Sequence, residues 1–270
     1  MLDPVIYRIL PGSPLDLDSH DPDAETGVDG GKEEGRAVLG EQTLHLAELQ
    51  RRLWGEGRRS LLLVLQATDT AGKDGTIRHV FRGVNPQGVK VTNFGVPSET
   101  DLAHDYLWRV HRHTPADGEI AVFNRSHYED VLVVRVKGLV PEAVWSRRYD
   151  HIREFEKVLA EEGTSIVKVF LNISKDEQKK RLESRLAQPD KNWKFRKEDL
   201  EDRERWDDYR IAFQDAISKT STPYAPWYVV PANRKWYRDV VVSQILIDTL
   251  EEMEPRYPEP EDGLEEIVVR

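Results

Sequence analysis

Cysteine is absent from the 270 residues. That excludes a disulfide framework, a thiol nucleophile, and zinc or iron–sulfur sites built on Cys ligands. Long apolar runs are missing too. The longest aliphatic stretches, such as Leu61 to Leu65, fall far short of the roughly 20 residues that span a bilayer. No basic segment followed by an apolar one stands at the N-terminus, so no secretory signal is expected and a cytoplasmic enzyme is. With 39% hydrophobic and 33% charged residues, the composition is that of a soluble globular protein, long enough for one large α/β domain or two small ones.

Charge is unevenly spread. Leu15 to Glu34 holds eight acids and one Lys, and Glu251 to Glu266 holds eight acids and one Arg. Removing these two segments from the total of −10 leaves a body of +4. Within that body, Lys179 to Lys197 carries eight basic and two acidic residues. Such a run is either a solvated helix face or a site for a polyanion.

The ends are rich in Asp, Glu, Gly and Pro and lack helical or strand periodicity. They are expected to be an acidic N-terminal arm, 1–36, and an acidic C-terminal tail, 254–270. Between them, over 37–253, strand and helix patterns alternate. Strands are expected at Ser60–Gln66, Val89–Phe94, Glu119–Asn124, Ser165–Ile173 and Trp227–Pro231. Helices are expected at Thr43–Trp54, Gly72–Phe81, Thr100–His113, Pro141–Glu162, Ser174–Ala187, Glu198–Lys219 and Asn233–Glu252, with Gly163 stopping the fourth. This order implies a mainly parallel five-stranded α/β sheet with helices on both faces.

Three segments carry chemistry. In "LLLVLQATDTAGKDGTIRHVF" a strand runs through small residues into Gly72, Lys73 and a helix, the context of a phosphate-binding loop. Backbone N–H groups of Thr70, Ala71, Gly72, Lys73, Asp74, Gly75 and Thr76 would meet an anion at a positive helix end. Lys73 would be the cation on the transferred phosphate. The pattern departs from G-x-x-x-x-G-K-[ST]: Ala67 replaces the first Gly, and Asp74 replaces the magnesium-binding hydroxyl. A carboxylate can supply that missing ligand, and Asp69, within the loop, is the expected metal residue. In "EIAVFNRSHYEDV" the strand ends at Asn124 and Arg125, and Arg suits phosphate through paired charge-assisted hydrogen bonds. His127, His111 and His113 show no metal-ligand spacing and read as core or exposed histidines. The third segment is the basic run. Arg181 and Arg185 share a helix face, Pro189 breaks the helix, and Lys191 and Lys194 follow. A hinged basic segment late in such a fold is the form of a lid, about 175–215. Trp193, Phe195 and Trp206 are candidates to stack a base or to pack in the core.

Together, "ATDTAGKDGTI", "FNRSHYEDVL", "RLAQPDKNWKF" and "STPYAPWYVVPANRKWYRD" resemble the polyphosphate kinase type 2 family over roughly residues 40 to 250. The resemblance implies a three-layer αβα P-loop kinase fold with a helical lid. It also implies magnesium-dependent (manganese being possible) phosphoryl transfer between inorganic polyphosphate and nucleotides such as AMP and ADP. It makes Asp69, Lys73 and Arg125 catalytic, and Glu129 too, since Glu there resembles the subgroup that phosphorylates both mono- and diphosphates. Asn124, where the family commonly has Asp, puts a metal role at that position in doubt. The resemblance further implies a homo-oligomer, dimer or tetramer; no membrane partner is expected from the composition, and no nucleic acid from the acidic ends and the lack of any nucleic-acid motif. An ATP-dependent nucleotide kinase on the same fold stays open beside it, as do a non-catalytic phosphate-binding module and a nucleic-acid binder.

Overall fold

The computed structural model describes residues 2–269. Six strands form one sheet: β1 Arg8–Ile9, β2 Ser60–Gln66, β3 Val89–Asn93, β4 Ile120–Asn124, β5 Thr164–Asn172 and β6 Trp227–Pro231. Their order is β1-β6-β5-β2-β4-β3, parallel throughout except for β1, which pairs antiparallel to β6 through Arg8–Tyr228 and Ile9–Trp227. The expected five strands are all present. The sixth corrects the reading of the N-terminal arm as free of strand.

Strand β2 lies at the centre, and all seven of its residues are buried. Its side chains alternate between two cores, as a period of two requires. Leu61, Leu63 and Leu65 join Val167, Val169 and Leu171 on one face. Leu62 and Val64 join Phe123, Ile166 and Phe170 on the other. Over the first core pack helices α1 (Gly31–Glu56) and α2 (Lys73–Val80), with the closing C-terminal helix Lys235–Met253. The apolar seam of α1, Leu46, Leu49 and Leu53, is buried there. Between α2 and β5 lie α3 (Glu99–Leu102), α4 (Trp108–His111), α5 (Val133–Val136), α6 (Glu142–Trp145) and α7 (Arg148–Glu161). After β5 come α8 (Lys175–Ala187), α9 (Glu198–Glu204), α10 (Trp206–Thr220) and the closing helix, α11. Tyr149 and Ile152 of α7 and Phe213 and Ile217 of α10 fill the second core.

Three expected helices are broken. Thr100–His113 becomes α3 and α4, separated where the Asp105 side chain accepts from Leu107 N at 3.0 Å. Pro141–Glu162 becomes α6 and α7. Glu198–Lys219 divides at Arg205, whose guanidinium donates to the Val136 carbonyl at 2.8 Å. Helix α1, in contrast, starts twelve residues before its expected first residue, at Gly31 instead of Thr43.

The arm is part of the body. Leu2, Tyr7, Ile9, Leu17 and Val28 are buried. The Tyr7 hydroxyl meets that of Tyr237 at 2.6 Å. Arg234 pairs with Asp23 and with Glu25, the latter at 3.3 Å. No helix among the described residues is long and apolar enough to cross a membrane.

Candidate active site

The strands that follow β2 in sequence settle on one side of it as β3 and β4, and then on the other as β5 and β6. The crevice beyond the carboxyl end of β2 is therefore the switch point where ligands bind in open parallel sheets. Residues 67–72 cross that crevice and enter α2. Thr70 and Gly72 take positive φ, 68° and 107°. Gly72 has a second constraint: a Cβ there would sit 2.1 Å from Nη1 of Arg238.

The loop's carbonyls are gripped from behind. Arg181, from α8, donates to the carbonyls of Thr70 (3.2 Å), Ala71 (2.8 Å), Ala232 (2.7 Å) and Asn233 (2.9 Å), and pairs with Glu177 at 2.7 Å. Arg238, from α11, donates to the Ala71 carbonyl at 3.2 Å while Asp239 holds its other edge. Gln178 reaches the Asp69 carbonyl at 3.3 Å. The first helical bond of α2 runs from Thr76 N to the Gly72 carbonyl at 2.9 Å. The N–H groups of Gly72 to Gly75 precede that bond and are the open donors of a helix start. Carbonyls turned away and N–H groups forward make a concavity for phosphate oxygens.

Four charged side chains meet at its rim. Lys73 is buried and donates to the Ala67 carbonyl at 3.2 Å. Burial, and then the neighbouring Arg125, lower its pKa to about 8. Arg125 follows β4 in a left-handed conformation, φ 62°. Such strain in a non-Gly residue is characteristic of functional sites. Its guanidinium joins Asp69 at 2.7 Å and Glu129 at 3.4 Å. Burial pushes the Glu129 carboxyl up, against the pull of Arg125 and Lys73. In the orientation that satisfies both ends of its amide, Gln66 donates to Glu129 Oε1 at 3.0 Å and accepts from Ser126 N at 3.1 Å.

Asn124 donates to Asp74 Oδ1 at 2.8 Å, and Lys194 pairs with Asp74 Oδ2 at 3.1 Å. Burial alone would raise the pKa of Asp74, but these two partners outweigh it and hold the carboxyl below its usual range. An Asp at 124 would face that carboxylate with like charge, so the departure from Asp is self-consistent here.

The lid expectations divide. Lys194 reaches across to the loop through Asp74. Arg185 lies near Asp199 at 3.6 Å, and Lys191 bonds to Gln188 within its own segment. Arg181 differs from the other three. The expectation of a free lid cation gives way to a buttress, because its guanidinium donors are taken up by four carbonyls and a carboxylate. Trp193 is exposed. Trp206 is buried and lines a narrow cleft with Asp69, Arg125, Glu129, Asp202, Tyr209 and Phe213. Sequence reasoning missed Gln66, Gln178, Asp202, Tyr209 and Arg238. Only Arg238 left a signal: with Asp239, it is a charged pair set directly before the apolar run Val240 to Val242.

Among the described residues no group of three or more His, Cys, Asp or Glu is disposed to hold a metal alone. Magnesium requires less, one or two carboxylates with phosphate oxygens and waters, and the partly exposed oxygens of Asp69 fit that mode.

Residues 30–258 match the family model described as "Polyphosphate kinase 2 (PPK2)". The chain is 57% identical over 263 residues to the AMP/ADP-polyphosphate phosphotransferase of Meiothermus ruber, covering 97% of this chain and 98% of that protein. It is 48% identical over 240 residues to the ADP-polyphosphate phosphotransferase of Rhodopseudomonas palustris, covering 84% and 83%. The crystal structure of polyphosphate kinase 2 from Arthrobacter aurescens TC1 superposes with a TM-score of 0.95 at 46% identity, covering 98% of this chain and 95% of that one. With a P-loop-like turn at the switch point and a match running through nearly the whole globular body, this chain belongs to the polyphosphate kinase 2 family.

Proposed function

We propose that this protein transfers the terminal phosphoryl group of inorganic polyphosphate to AMP and to ADP, with magnesium, in the cytoplasm. The observation that carries the reading is the convergence of Lys73 and Arg125 with Asp69 and Glu129 at the rim of an N–H-lined loop. The acceptor phosphate is already anionic, so a strong general base is not needed. The barrier lies in bringing two polyanions together, and positioning with charge neutralisation lowers it.

Each residue then has a task. The loop N–H groups and Lys73 hold and neutralise the transferred group. Arg125 meets the acceptor phosphate and keeps the nucleophilic oxygen in line. The cleft between Arg125, Trp206 and Phe213 holds the rest of the nucleotide and excludes water. Arg185, Lys191 and Lys194 carry the phosphate chain under the lid. Asp69 would hold magnesium, which when bound neutralises phosphate oxygens; manganese would serve in the same way. Glu129 favours the shorter monophosphate through an ordered water or a second cation, which an amide would hold less well. The working assembly we expect is a homodimer or homotetramer.

Glu129 gives the test. Glu129→Asn is expected to lose kcat/KM with AMP more than with ADP, at fixed polyphosphate and saturating Mg²⁺. A tenfold change in that ratio corresponds to about 1.4 kcal/mol of differential transition-state stabilisation. A wild type inert toward AMP, or a ratio unmoved by the substitution, would overturn the dual-acceptor reading.

A further inference from the structure

Behind the turn that carries Arg125 and Glu129 lies a charged network with no access to solvent. Lys168, in the middle of β5, and Glu156, on α7, are both fully buried and 2.5 Å apart. The Lys168 ammonium also donates to the Thr220 carbonyl at 2.7 Å and to the Tyr128 hydroxyl at 3.0 Å, so all three of its donors are used. Glu156 Oε1 receives the Tyr128 hydroxyl at 2.8 Å and His127 Nε2 at 3.2 Å. Tyr128 lies as close to Thr220 Oγ1, also 2.8 Å, and Trp227 donates to that same oxygen at 2.9 Å.

Stability gives a poor account of this arrangement. A buried ion pair is commonly matched or bettered by apolar residues of similar volume. Its placement is more informative. His127 and Tyr128 directly precede Glu129 and lie two and three residues after the strained Arg125. Thr220 ends α10, whose Trp206, Tyr209 and Phe213 line the opposite wall of the cleft. The network thus ties the backs of both walls to one rigid pair on β5 and α7.

We propose that Tyr128 is a positioning residue, which with Lys168 and Glu156 fixes the Arg125–Glu129 turn relative to α10. The inference rests on the proposed roles of Arg125 and Glu129.

The test uses the full-length protein below its melting midpoint. Tyr128→Phe keeps the ring packed on Trp227 but removes the shared hydroxyl. It is expected to lower kcat tenfold or more while leaving KM for polyphosphate within about twofold. The double variant Lys168→Met with Glu156→Met leaves no unpaired charge but strands the Thr220 carbonyl and His127 Nε2. Its melting midpoint is expected to fall, and the lowered kcat should persist at temperatures well below that midpoint. In a Glu129→Asn background, Tyr128→Phe should add little further loss, because coupled residues are non-additive. Wild-type kcat in Tyr128→Phe or in the double variant overturns the proposal, as does a kcat loss that vanishes at temperatures well below each variant's melting midpoint. Glu129→Asn with wild-type kinetics would instead strike the role given to Glu129 in the proposed function. Tyr128→Phe would then be judged on its own kcat and melting midpoint.

Discussion

Lys73 combines two properties that set its behaviour with pH. It is proposed to meet phosphate as a cation, yet burial has brought its pKa to about 8. A lysine with a lowered pKa is protonated below that value and neutral above it. Its electrostatic contribution in the free enzyme is therefore present in the acid and neutral range and is lost as pH rises through about 8. Bound phosphate favours the charged form, so kcat/KM should decline above that pH while kcat holds to a higher one. A coincident decline of both in a pH–rate series would contradict the assignment. Lys73→Ala should lower kcat by about a hundredfold or more, as loss of one preorganised donor does, with folding intact by circular dichroism. Asp69→Asn should shift the magnesium titration to higher concentrations, and an unchanged titration would remove Asp69 as the metal residue. Asp69, Lys73 and Arg125, which the structure brings together beside the loop, were legible as candidates because each sits at a strand end or loop with local chemical context. Arg181 was misread because helical spacing gives the face of a side chain, not its partners.

At the level of the elements, five of the six strands were legible almost to the residue, and the two-residue β1 in the arm was not. β2, β4, β5 and β6 are short apolar runs whose burial on both faces leaves no competing periodicity, whereas β3, at the sheet edge, is largely exposed. Helix breaks were not legible. Arg205 ends α9 through a bond to the carbonyl of Val136, 69 residues away in sequence, and a local pattern holds no trace of such a partner. The lid has a contact of its own kind: Lys194 and Asp74 meet across the loop with side chains 35% and 65% exposed. A pair that open to solvent is worth at most about 1 kcal/mol, so phosphate can displace Asp74 from Lys194 at little cost. Neutralising any two of Arg185, Lys191 and Lys194 should weaken polyphosphate binding and flatten its salt dependence, as read by KM across a salt series. Arg181→Met should leave the salt slope intact and instead destabilise the fold, by about 2 kcal/mol or more from stranded buried carbonyls. Equal salt slopes for the wild type and the lid variants would make the basic run only a solvated face.

On the scale of the whole molecule, composition misled about the arm. Its acidic, Gly- and Pro-containing sequence resembles disorder, yet its few apolar residues are spaced to reach the body. Leu17 is 1% exposed, and its backbone N–H donates to Gln214 of α10 at 3.1 Å. Leu17→Ala should then cost about 2–5 kcal/mol, the usual loss for a buried leucine, in denaturant unfolding; an unchanged midpoint would mean that the arm contributes nothing to stability. The acidic arm and tail also account for the net charge of −10 over a basic body. The donor that this body is expected to use is polyphosphate, and that expectation comes before every other. The decisive experiment incubates the protein with AMP, Mg²⁺ and long-chain polyphosphate and separates the nucleotides over time. AMP should fall as ADP and then ATP appear, and omission of polyphosphate should abolish both products. Phosphorylation of AMP by ATP with no turnover of polyphosphate would contradict it.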